Sequence, residues 1–337
     1  MKETGGSYMK KVLELTLLTA IIFLLGTVAA FPSSAQKMNV TRIEGRDRYE
    51  TAVKLSRYTY MASPKAIVAT GEDFPDALAG GSLAVQLDIP ILLTEKNKLN
   101  PLVEKELERL GTKEVFILGG EGAVGKEVEE ELEKTTEVKR IAGRNRYETA
   151  NEISNMRYEY RKDKSITFPG DFYVFVSGTS YPDALAAAPL VGQINIEDAL
   201  NVYLLLAQPD QNVSGSTVIG GPQAFSFPVD GYNSEEGNRV YGENRFSTAV
   251  EVAKRYPIDV GKKVETIILT NGMNYPDALA AAPLVSNRNA AILLTKTGSL
   301  PKETKDYLKE EDIQDVIIIG GESAVSESVV QEINDIK

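Results

Sequence analysis

The stretch RIEGRDRYETA at residues 42–52 occurs twice more in this chain, as RIAGRNRYETA at 140–150 and as RVYGENRFSTA at 239–249. The copies begin 98 and 99 residues apart in a chain of 337 residues. Self-similarity at a fixed period is typical of a protein built from repeated units that bury apolar surface against one another. The sequence therefore predicts three homologous units, although chain length alone would suggest about two domains.

Two further motifs recur in the same order within each unit. The first is aromatic-Pro-Asp-Ala-Leu-Ala, and the second is an apolar run that ends in Gly-Gly. The first occupies residues 74–79, 181–186 and 275–280, and the second occupies residues 115–120, 217–221 and 316–321. Together the landmarks predict three repeats, at residues 36–137, 138–236 and 237–337.

Each unit reads as alternating helices and strands. Asp47, Asn145 and Asn244 are predicted helix N-caps, and Glu50 and Glu148 complete capping-box patterns. The Pro-Asp pair predicts the start of a second helix. Short apolar runs are predicted strands, at 66–70, 91–94, 115–118, 173–177, 203–206, 266–270, 292–295 and 316–319. Apolar strands alternating with helices indicate an α/β fold with parallel sheets covered on both faces.

The second unit departs from the other two. It carries an extra polar stretch around residues 161–170, and it lacks the amphipathic helix that would separate residues 206 and 217. No Gly/Ser-rich linker divides the units. We therefore expect three lobes packed together, with the middle lobe shortened on one side.

Composition restricts the chemistry. The chain has no histidine and no cysteine, which excludes Ser-His-Asp hydrolysis, His-ligated zinc and thiol chemistry. A net charge of −11 argues against nucleic acid as a partner. Residues 120–127 approach a P-loop, but Glu127 replaces the magnesium-binding hydroxyl. We therefore expect no bound nucleotide and no cofactor. Glu72, Asp73 and Asp76 cluster only in the first unit, so we also expect no metal site shared by the three units.

Residues 1–35 are predicted to be a signal peptide. Lys10 and Lys11 precede an uncharged apolar run, and small residues offer cleavage after Ala30 or Ala35. The run is slightly short of the roughly 20 residues of a membrane-spanning helix, so a cleaved signal is favoured over a retained anchor. The expected location is therefore outside the cell.

The three motifs together resemble the type 2 cell-wall-binding repeat of surface-layer and cell-wall proteins of clostridia and their relatives. The resemblance covers about residues 38–337. It implies three Rossmann- or Toprim-like lobes around a pseudo-threefold axis. It also implies a location at the cell wall or cell surface, with non-covalent attachment to an anionic wall polymer, either teichoic-like or a secondary wall polysaccharide.

The recurrent arginines are the predicted ligand-binding residues, because a guanidinium binds phosphate or carboxylate with two parallel hydrogen bonds. They are Arg42, Arg46, Arg48, Arg140, Arg144, Arg146, Arg239 and Arg245. Arg46 and Arg144 are the stronger candidates, because the third unit has Glu243 at their position. A residue that the fold required would be expected in all three units. The competing interpretation is structural: Arg48, Arg146 and Arg245 would each form an ion pair within their own unit, with Asp76, Asp183 and Asp277 respectively.

The sequence thus favours a non-enzymatic protein that holds a wall polymer at several sites. One alternative is an accessory role, as a modifier of a separate wall amidase or as a partner of a surface-layer protein. The other is a hydrolase that uses two carboxylates. No pair of acids stands apart from the repeat pattern, which disfavours the hydrolase.

Overall fold

A computed structural model describes residues 37–336, except 74, 161–171, 198–201, 209–210, 212, 214–216, 225–238 and 287. These residues form three sheets of four parallel strands with helices around them. The predicted α/β fold of three lobes is confirmed. The predicted signal peptide and the polar stretch at 161–170 lie outside the described residues.

The first lobe contains the most regular helices. Its strands are β2 (Lys65–Thr70), β3 (Ile91–Thr94), β4 (Glu114–Leu118) and β5 (Glu137–Ile141), and its helices are α1 (Arg48–Thr59), α2 (Pro75–Leu87), α3 (Pro101–Leu110) and α4 (Lys126–Leu132). Apolar side chains of α3 and α4 cover one face of the sheet, α2 packs on the other face, and α1 contributes side chains to both. Every strand predicted here is present.

The second lobe has fewer described helices. It consists of α5 (Arg146–Glu159), β6 (Phe172–Ser177), α6 (Tyr181–Glu197), β7 (Val202–Ala207), β8 (Thr217–Ile219) and β9 (Arg239–Val240). Of the residues described between β7 and β8, none is helical. Val213 packs there against Phe175 and Val218, on the face that α3 covers in the first lobe.

The third lobe is built from both ends of the chain. It contains α7 (Arg245–Ala253), a π-helical turn (Tyr256–Val260), β10 (Thr266–Asn271), β11 (Ala290–Thr295), α8 (Lys302–Glu310), β12 (Asp315–Ile319), α9 (Glu327–Asn334) and β1 (Asn39–Ile43). The predicted Pro-Asp helix is instead two 3₁₀ segments, Pro276–Ala280 and Ala282–Val285. Pro283 alone does not account for this difference, because Pro189 holds the same position in the second repeat and α6 remains α-helical there.

Each sheet takes its last strand from the repeat that follows it. The strand orders are β3-β2-β4-β5, β7-β6-β8-β9 and β11-β10-β12-β1. Thus the opening strand of the second repeat, β5, completes the first lobe, and β9 completes the second. β1 then pairs with β12 in parallel, from Asn39 opposite Asp315 to Ile43 opposite Ile319. This last exchange closes the three lobes into a ring.

Small residues bring the lobes together at the centre of the ring. Gly81, Ala188 and Ala282 hold the same position after the Pro-Asp motif in their repeats. A Cβ at Gly81 would lie 3.0 Å from the Cβ of Ala282 and 3.2 Å from that of Ala188. One position from each repeat therefore meets the other two, which is the arrangement that a pseudo-threefold axis requires.

A buried arginine joins the first two lobes. Arg157 is 1% exposed and donates to the carbonyl oxygens of Val202 and Val191, both at 3.0 Å, and to Oε1 of Gln86 at 3.1 Å. Burial without a carboxylate partner lowers its pKa to about 9. The repeat pattern gave no signal for this residue, because Thr59 occupies the corresponding helical position of the first repeat.

The predicted helix caps are present, with one difference in detail. Asp47, Asn145 and Asn244 cap α1, α5 and α7. Only Asn244 forms a capping box, with Ser247. Glu50 and Glu148 instead bond the backbone N–H one residue further back, at Arg46 and Arg144, because those arginines also supply a cationic side chain.

Candidate functional site

The first arginine of each repeat holds the Gly-Gly turn of the preceding lobe. Arg140 Nη1 donates to the carbonyl oxygens of Gly119 (2.8 Å) and Val124 (2.9 Å). Arg42 makes the same bonds to Gly320 (2.9 Å) and Val325 (2.8 Å), which ties the start of the chain to the third lobe. Arg239 Nε donates to the Gly220 carbonyl at 2.9 Å. These three arginines were predicted ligands, and their bonds give them a positioning role.

The arginine directly after the helix cap of each repeat lies at a joint between two lobes. Arg146 Nη1 donates to the carbonyl oxygen of Gly178 at 3.0 Å, and Arg245 Nη1 to that of Gly272 at 2.6 Å. Arg48 makes the corresponding bond to Gly71. In all three cases the acceptor is the glycine that follows the second strand of the arginine's own repeat. The strand preceding the arginine, however, belongs to the neighbouring sheet.

The aspartates of the Pro-Asp motif face the next repeat. Asp76 interacts electrostatically with Arg146 and hydrogen-bonds Thr149, and Asp183 interacts with Arg245. The expected pairing was within one repeat, Arg146 with Asp183 for example, and this needs correction. Strand exchange is the physical reason, because it moves the arginine of the following repeat onto the carboxyl edge of the preceding sheet.

The first glycine of the Gly-Gly turn fits closely against this aspartate. Gly119 has φ 92° and Gly320 has φ 98°, a region that side chains other than glycine rarely adopt. A Cβ at Gly119 would collide with Oδ2 of Asp76, and one at Gly320 would lie 2.9 Å from Oδ2 of Asp277. Asp277 therefore has the same place in the third lobe that Asp76 has in the first.

Two clefts result at the carboxyl edges of the sheets. Cleft 1, between the first lobe and the start of the second repeat, has a volume of about 350 Å³. Cleft 2, between the second lobe and the start of the third repeat, has a volume of about 470 Å³. Cleft 1 is lined by Glu72, Asp73, Asp76, Arg144, Arg146 and Thr149, among others, and cleft 2 by Ser177, Asp183, Tyr241, Glu243, Arg245 and Thr248, among others. Ligands of open α/β sheets commonly bind at this edge.

The clefts carry both signs of charge. Among the residues named, cleft 1 has three carboxylates and two guanidinium groups, and cleft 2 has two carboxylates and one guanidinium group. Arg146 Nη2 lies 3.5 Å from Oδ2 of Asp73. Neither cleft is therefore a uniformly basic pocket. Each cleft is lined by arginine and acidic side chains together with hydroxyl-bearing side chains and backbone.

Burial changes the acidity of the cleft aspartates. It raises the pKa of Asp76 to about 6, helped by the carboxylate of Asp73 and opposed by Arg146 and the hydrogen bond with Thr149. Burial also raises the pKa of Asp183 to about 6, opposed by Arg245. Both carboxyls therefore take up protons in mildly acidic solution, which makes the clefts less negative there.

The arginine that precedes the helix cap in the first two repeats is far more exposed. The side chains of Arg46 and Arg144 are 82% and 90% exposed, and they pair with Glu50 at 2.7 Å and Glu148 at 2.6 Å. The third repeat changes both partners together, to Glu243 and Ser247. Arg144 lines cleft 1 and Glu243 lines cleft 2. The position that differs between the repeats thus lies at the mouth of the site.

Aromatic residues of the Pro-Asp motif also meet near the joints. The rings of Tyr181 and Tyr275 lie 5.3 Å apart, edge to face. Tyr181 donates its hydroxyl to the Gly272 carbonyl at 2.8 Å, the oxygen that Arg245 also binds. Sequence reasoning used these aromatics only as landmarks. Their recurrence before Pro-Asp was the signal that they hold a shared position.

The described ranges contain no cluster of acidic side chains suited to a metal ion. Within those same ranges, no helix is long and apolar enough to cross a membrane.

The family model of cell wall binding domain 2 matches this chain three times, at residues 42–129, 140–229 and 239–330. These matches cover most of the sequence. The chain therefore belongs to the cell wall binding domain 2 family, and the resemblance drawn from the motifs is confirmed.

Two relatives from Bacillus subtilis (strain 168) are similar over most of this chain. N-acetylmuramoyl-L-alanine amidase LytC is 27% identical over 92% of this chain and 61% of its own length. Amidase enhancer is 29% identical over 87% of this chain and 40% of its own length. The chain therefore spans about three fifths and two fifths of these relatives.

Two solved structures share the fold. Cwp6 from Clostridium difficile superposes with a TM-score of 0.75 at 26% identity, over 90% of this chain and 48% of that protein. Cwp8 from the same organism gives a TM-score of 0.71 at 23% identity, over 88% of this chain and 51% of that protein. A cell wall binding fold of three repeats fits a role in attachment at the cell wall.

Proposed function

We propose that this protein is secreted and attaches to the cell wall without catalysis, by holding an anionic wall polymer in clefts between its lobes. The observation that carries the proposal is the recurrence of one arrangement: an arginine fixed by a glycine carbonyl, facing the buried aspartate of the preceding repeat. A polymer repeats its chemical groups, and the ring repeats its clefts.

The chemistry of the clefts suits a glycan that bears occasional negative charges. Arg146 and Arg245 each donate Nη1 to a glycine carbonyl, which fixes a planar guanidinium group at the joint between two lobes. Carboxylates and threonine hydroxyls are partners for sugar hydroxyl groups. An anionic group on the polymer would approach the arginine, and the neighbouring acids would discriminate against a uniformly charged chain.

Several weak contacts would give firm attachment. Once one cleft is occupied, binding at the second becomes intramolecular, so avidity exceeds the affinity of either cleft alone. Because the overall charge is −11, the arginines would act locally against a repulsive background. Binding should therefore weaken as salt screens the cleft arginines.

The decisive experiment is a pull-down of residues 36–337 on intact wall sacculi and on sacculi stripped of secondary polymer. We expect binding that disappears on stripping. The double variant Arg146→Gln, Arg245→Gln should bind less, and Arg46→Ala, Arg144→Ala tests the exposed pair. The matched control Lys254→Gln, Lys263→Gln removes two charges at exposed sites outside the clefts. Equal binding to stripped sacculi would contradict the proposal.

A second role has a specific observation in its favour. This chain is similar to a protein named amidase enhancer over 87% of the residues of this chain and 40% of that protein. We propose, as the alternative, that it modifies a separate wall hydrolase or contacts a surface-layer protein. Binding of the purified protein to an amidase in the absence of wall would favour this role. Binding only when sacculi are present would favour anchoring.

A further inference from the structure

A cavity lies at the opposite edge of the third lobe, where its strands begin. Its volume is about 350 Å³, and it is lined by Thr41, Tyr58, Glu265, Thr266, Arg288 and Asp315, among others. These residues come from both ends of the chain. Nothing in the proposed attachment to the wall uses this cavity, since the clefts lie at the carboxyl ends of the strands.

The first lobe shows what fills the same place there. Glu114, the first residue of β4, pairs with the ammonium groups of both Lys65 and Lys139, the latter at 2.6 Å. The Lys65 ammonium also lies over the rings of Phe116 and Tyr160, 5.5 and 5.0 Å from their centroids. Two cations from the protein thus neutralise the carboxylate at the start of β4.

Strand register makes the two places equivalent. Lys65 is opposite Glu114, as Thr266 is opposite Asp315. Lys139 is opposite Phe116, as Thr41 is opposite Ile317. The third lobe therefore keeps the carboxylate and replaces both lysines with threonine. Removing two long side chains opens the cavity and removes the ammonium groups that the carboxylate would otherwise bind.

The remaining charges are separated within the cavity. Asp315 Oδ1 accepts from Asn39 Nδ2 at 3.1 Å, and Glu265 Oε2 accepts from Asn289 Nδ2 at 3.2 Å. Within the described ranges, neither carboxylate has a cationic partner. The Arg288 guanidinium lies over the Tyr58 ring, 4.9 Å from its centroid, and forms no ion pair with a described residue.

We propose that this cavity binds a small compound carrying both a primary ammonium and a carboxylate. The ammonium takes the place that Lys65 Nζ has in the first lobe, beside Asp315 and Glu265. The carboxylate binds Arg288, whose planar fork donates to both carboxylate oxygens and whose position over Tyr58 limits its rotation. Two acids and one guanidinium require a ligand with at least one positive charge.

The test uses the ω-amino acids from glycine to aminohexanoate, together with alkylamines and alkanoates of matched length. Binding at neutral pH is followed by amide NMR titration of residues 36–337. One amino acid of the series should bind more tightly than the amine or the carboxylate of the same length. The optimal length then measures the separation of the two charged sites. Failure of every amino acid to shift the resonances of the cavity would overturn the proposal.

Variants assign the two ends of the ligand. Asp315→Asn should weaken binding about tenfold or more, the size expected for a hydrogen bond to a charged group. Arg288→Gln should abolish the preference for the amino acid over the plain amine. Thr266→Lys restores the lysine of the first lobe and should block binding while leaving attachment to sacculi intact. Asp312→Asn, at an exposed acid outside the cavity, is the control. Unchanged binding in Asp315→Asn and Thr266→Lys would refute the site.

Discussion

The repeats are alike at the carboxyl edge of their sheets and differ at the amino edge. At the carboxyl edge, Arg140 in the second repeat and Arg42 in the first make the same pair of bonds to a Gly-Gly turn. At the amino edge the repeats differ, because the position held by Lys65 in the first lobe is held by Thr266 in the third. The arginine contacts that recur in each repeat hold the lobes together, because every joint between lobes needs them. Residues that differ between the repeats can serve a function in one lobe alone.

The largest expected effect lies at the carboxyl edge. Gly119→Ala should lower the free energy of unfolding by about 3 kcal/mol, because alanine is strained at positive φ and its Cβ meets the Asp76 carboxylate. Gly122→Ala, in the same turn with open space around it, should change stability by less than about 0.5 kcal/mol. Urea unfolding of both variants gives the comparison. Equal losses would show that the turn is not held by this contact.

The next effect separates a positioning arginine from an exposed one. Arg140→Gln should cost about 2 to 3 kcal/mol, because its side chain is only 17% exposed and its loss leaves two carbonyls and Glu129 without their donor. Arg144→Gln, four residues later and 90% exposed, should leave unfolding nearly unchanged. If both variants lost stability alike, the division of roles between the two arginines would be wrong.

A pH titration sharpens the description of the clefts. Asp76 and Asp183 have pKa values raised to about 6 in the folded protein, above the unfolded value of 3.8. The stability they contribute is therefore fully present below pH 3.8 and is lost as the pH rises through about 6. Carbon NMR of the carboxyl groups should show both midpoints near pH 6.

Two variants assign the titration to cleft 1. Arg146→Gln should raise the Asp76 midpoint further, since the guanidinium favours the charged form. Asp76→Asn should remove one of the two titrating carboxyls. Attachment to an anionic polymer should strengthen between pH 7 and 5 in the native protein, and less so in Asp76→Asn. A midpoint near 4 for both aspartates would contradict the burial argument.

The smallest expected effect concerns a variant that gives the first lobe the amino-edge residues of the third lobe. Lys65→Thr, Lys139→Thr should leave Glu114 without its two cations and open a space like that of the third lobe. This variant should bind alkylamines weakly in the first lobe. It should show no preference for ω-amino acids there, because Arg288 has no part in that lobe. Amide NMR titration distinguishes the two lobes, and absence of amine binding would show that the lysines are not placeholders for a ligand.

The repeats were predictable because their motifs carry local physics. Apolar runs bounded by caps and glycines predicted the strands, and Asn145 and Asn244 predicted helix starts. The opening strands β1, β5 and β9 were missed. They are short, and arginine within each of them interrupts the apolar pattern by which strands are recognised. The shortened spacing predicted the loss of a helix in the second lobe, and none of the residues described between β7 and β8 is helical.

The candidate site was predicted by residue type and only partly by arrangement. Arg146 and Asp76 were both singled out, but their juxtaposition across repeats was not, because no spacing within one repeat reports which sheet a strand joins. The cavity beside Asp315 gave no motif at all. It is visible only when strand register aligns Thr266 with Lys65.

The sequence by itself determined the family, the threefold repetition, the α/β elements and the exclusion of histidine and cysteine chemistry, since each follows from residue type and local order. Tertiary structure decided which repeat completes which sheet. It thereby decided which arginine meets which aspartate, and which carboxylate is left without a cation. Those facts depend on contacts between residues far apart in the chain, as in β1 pairing with β12, and such contacts are formed by packing of whole lobes, which local sequence does not encode.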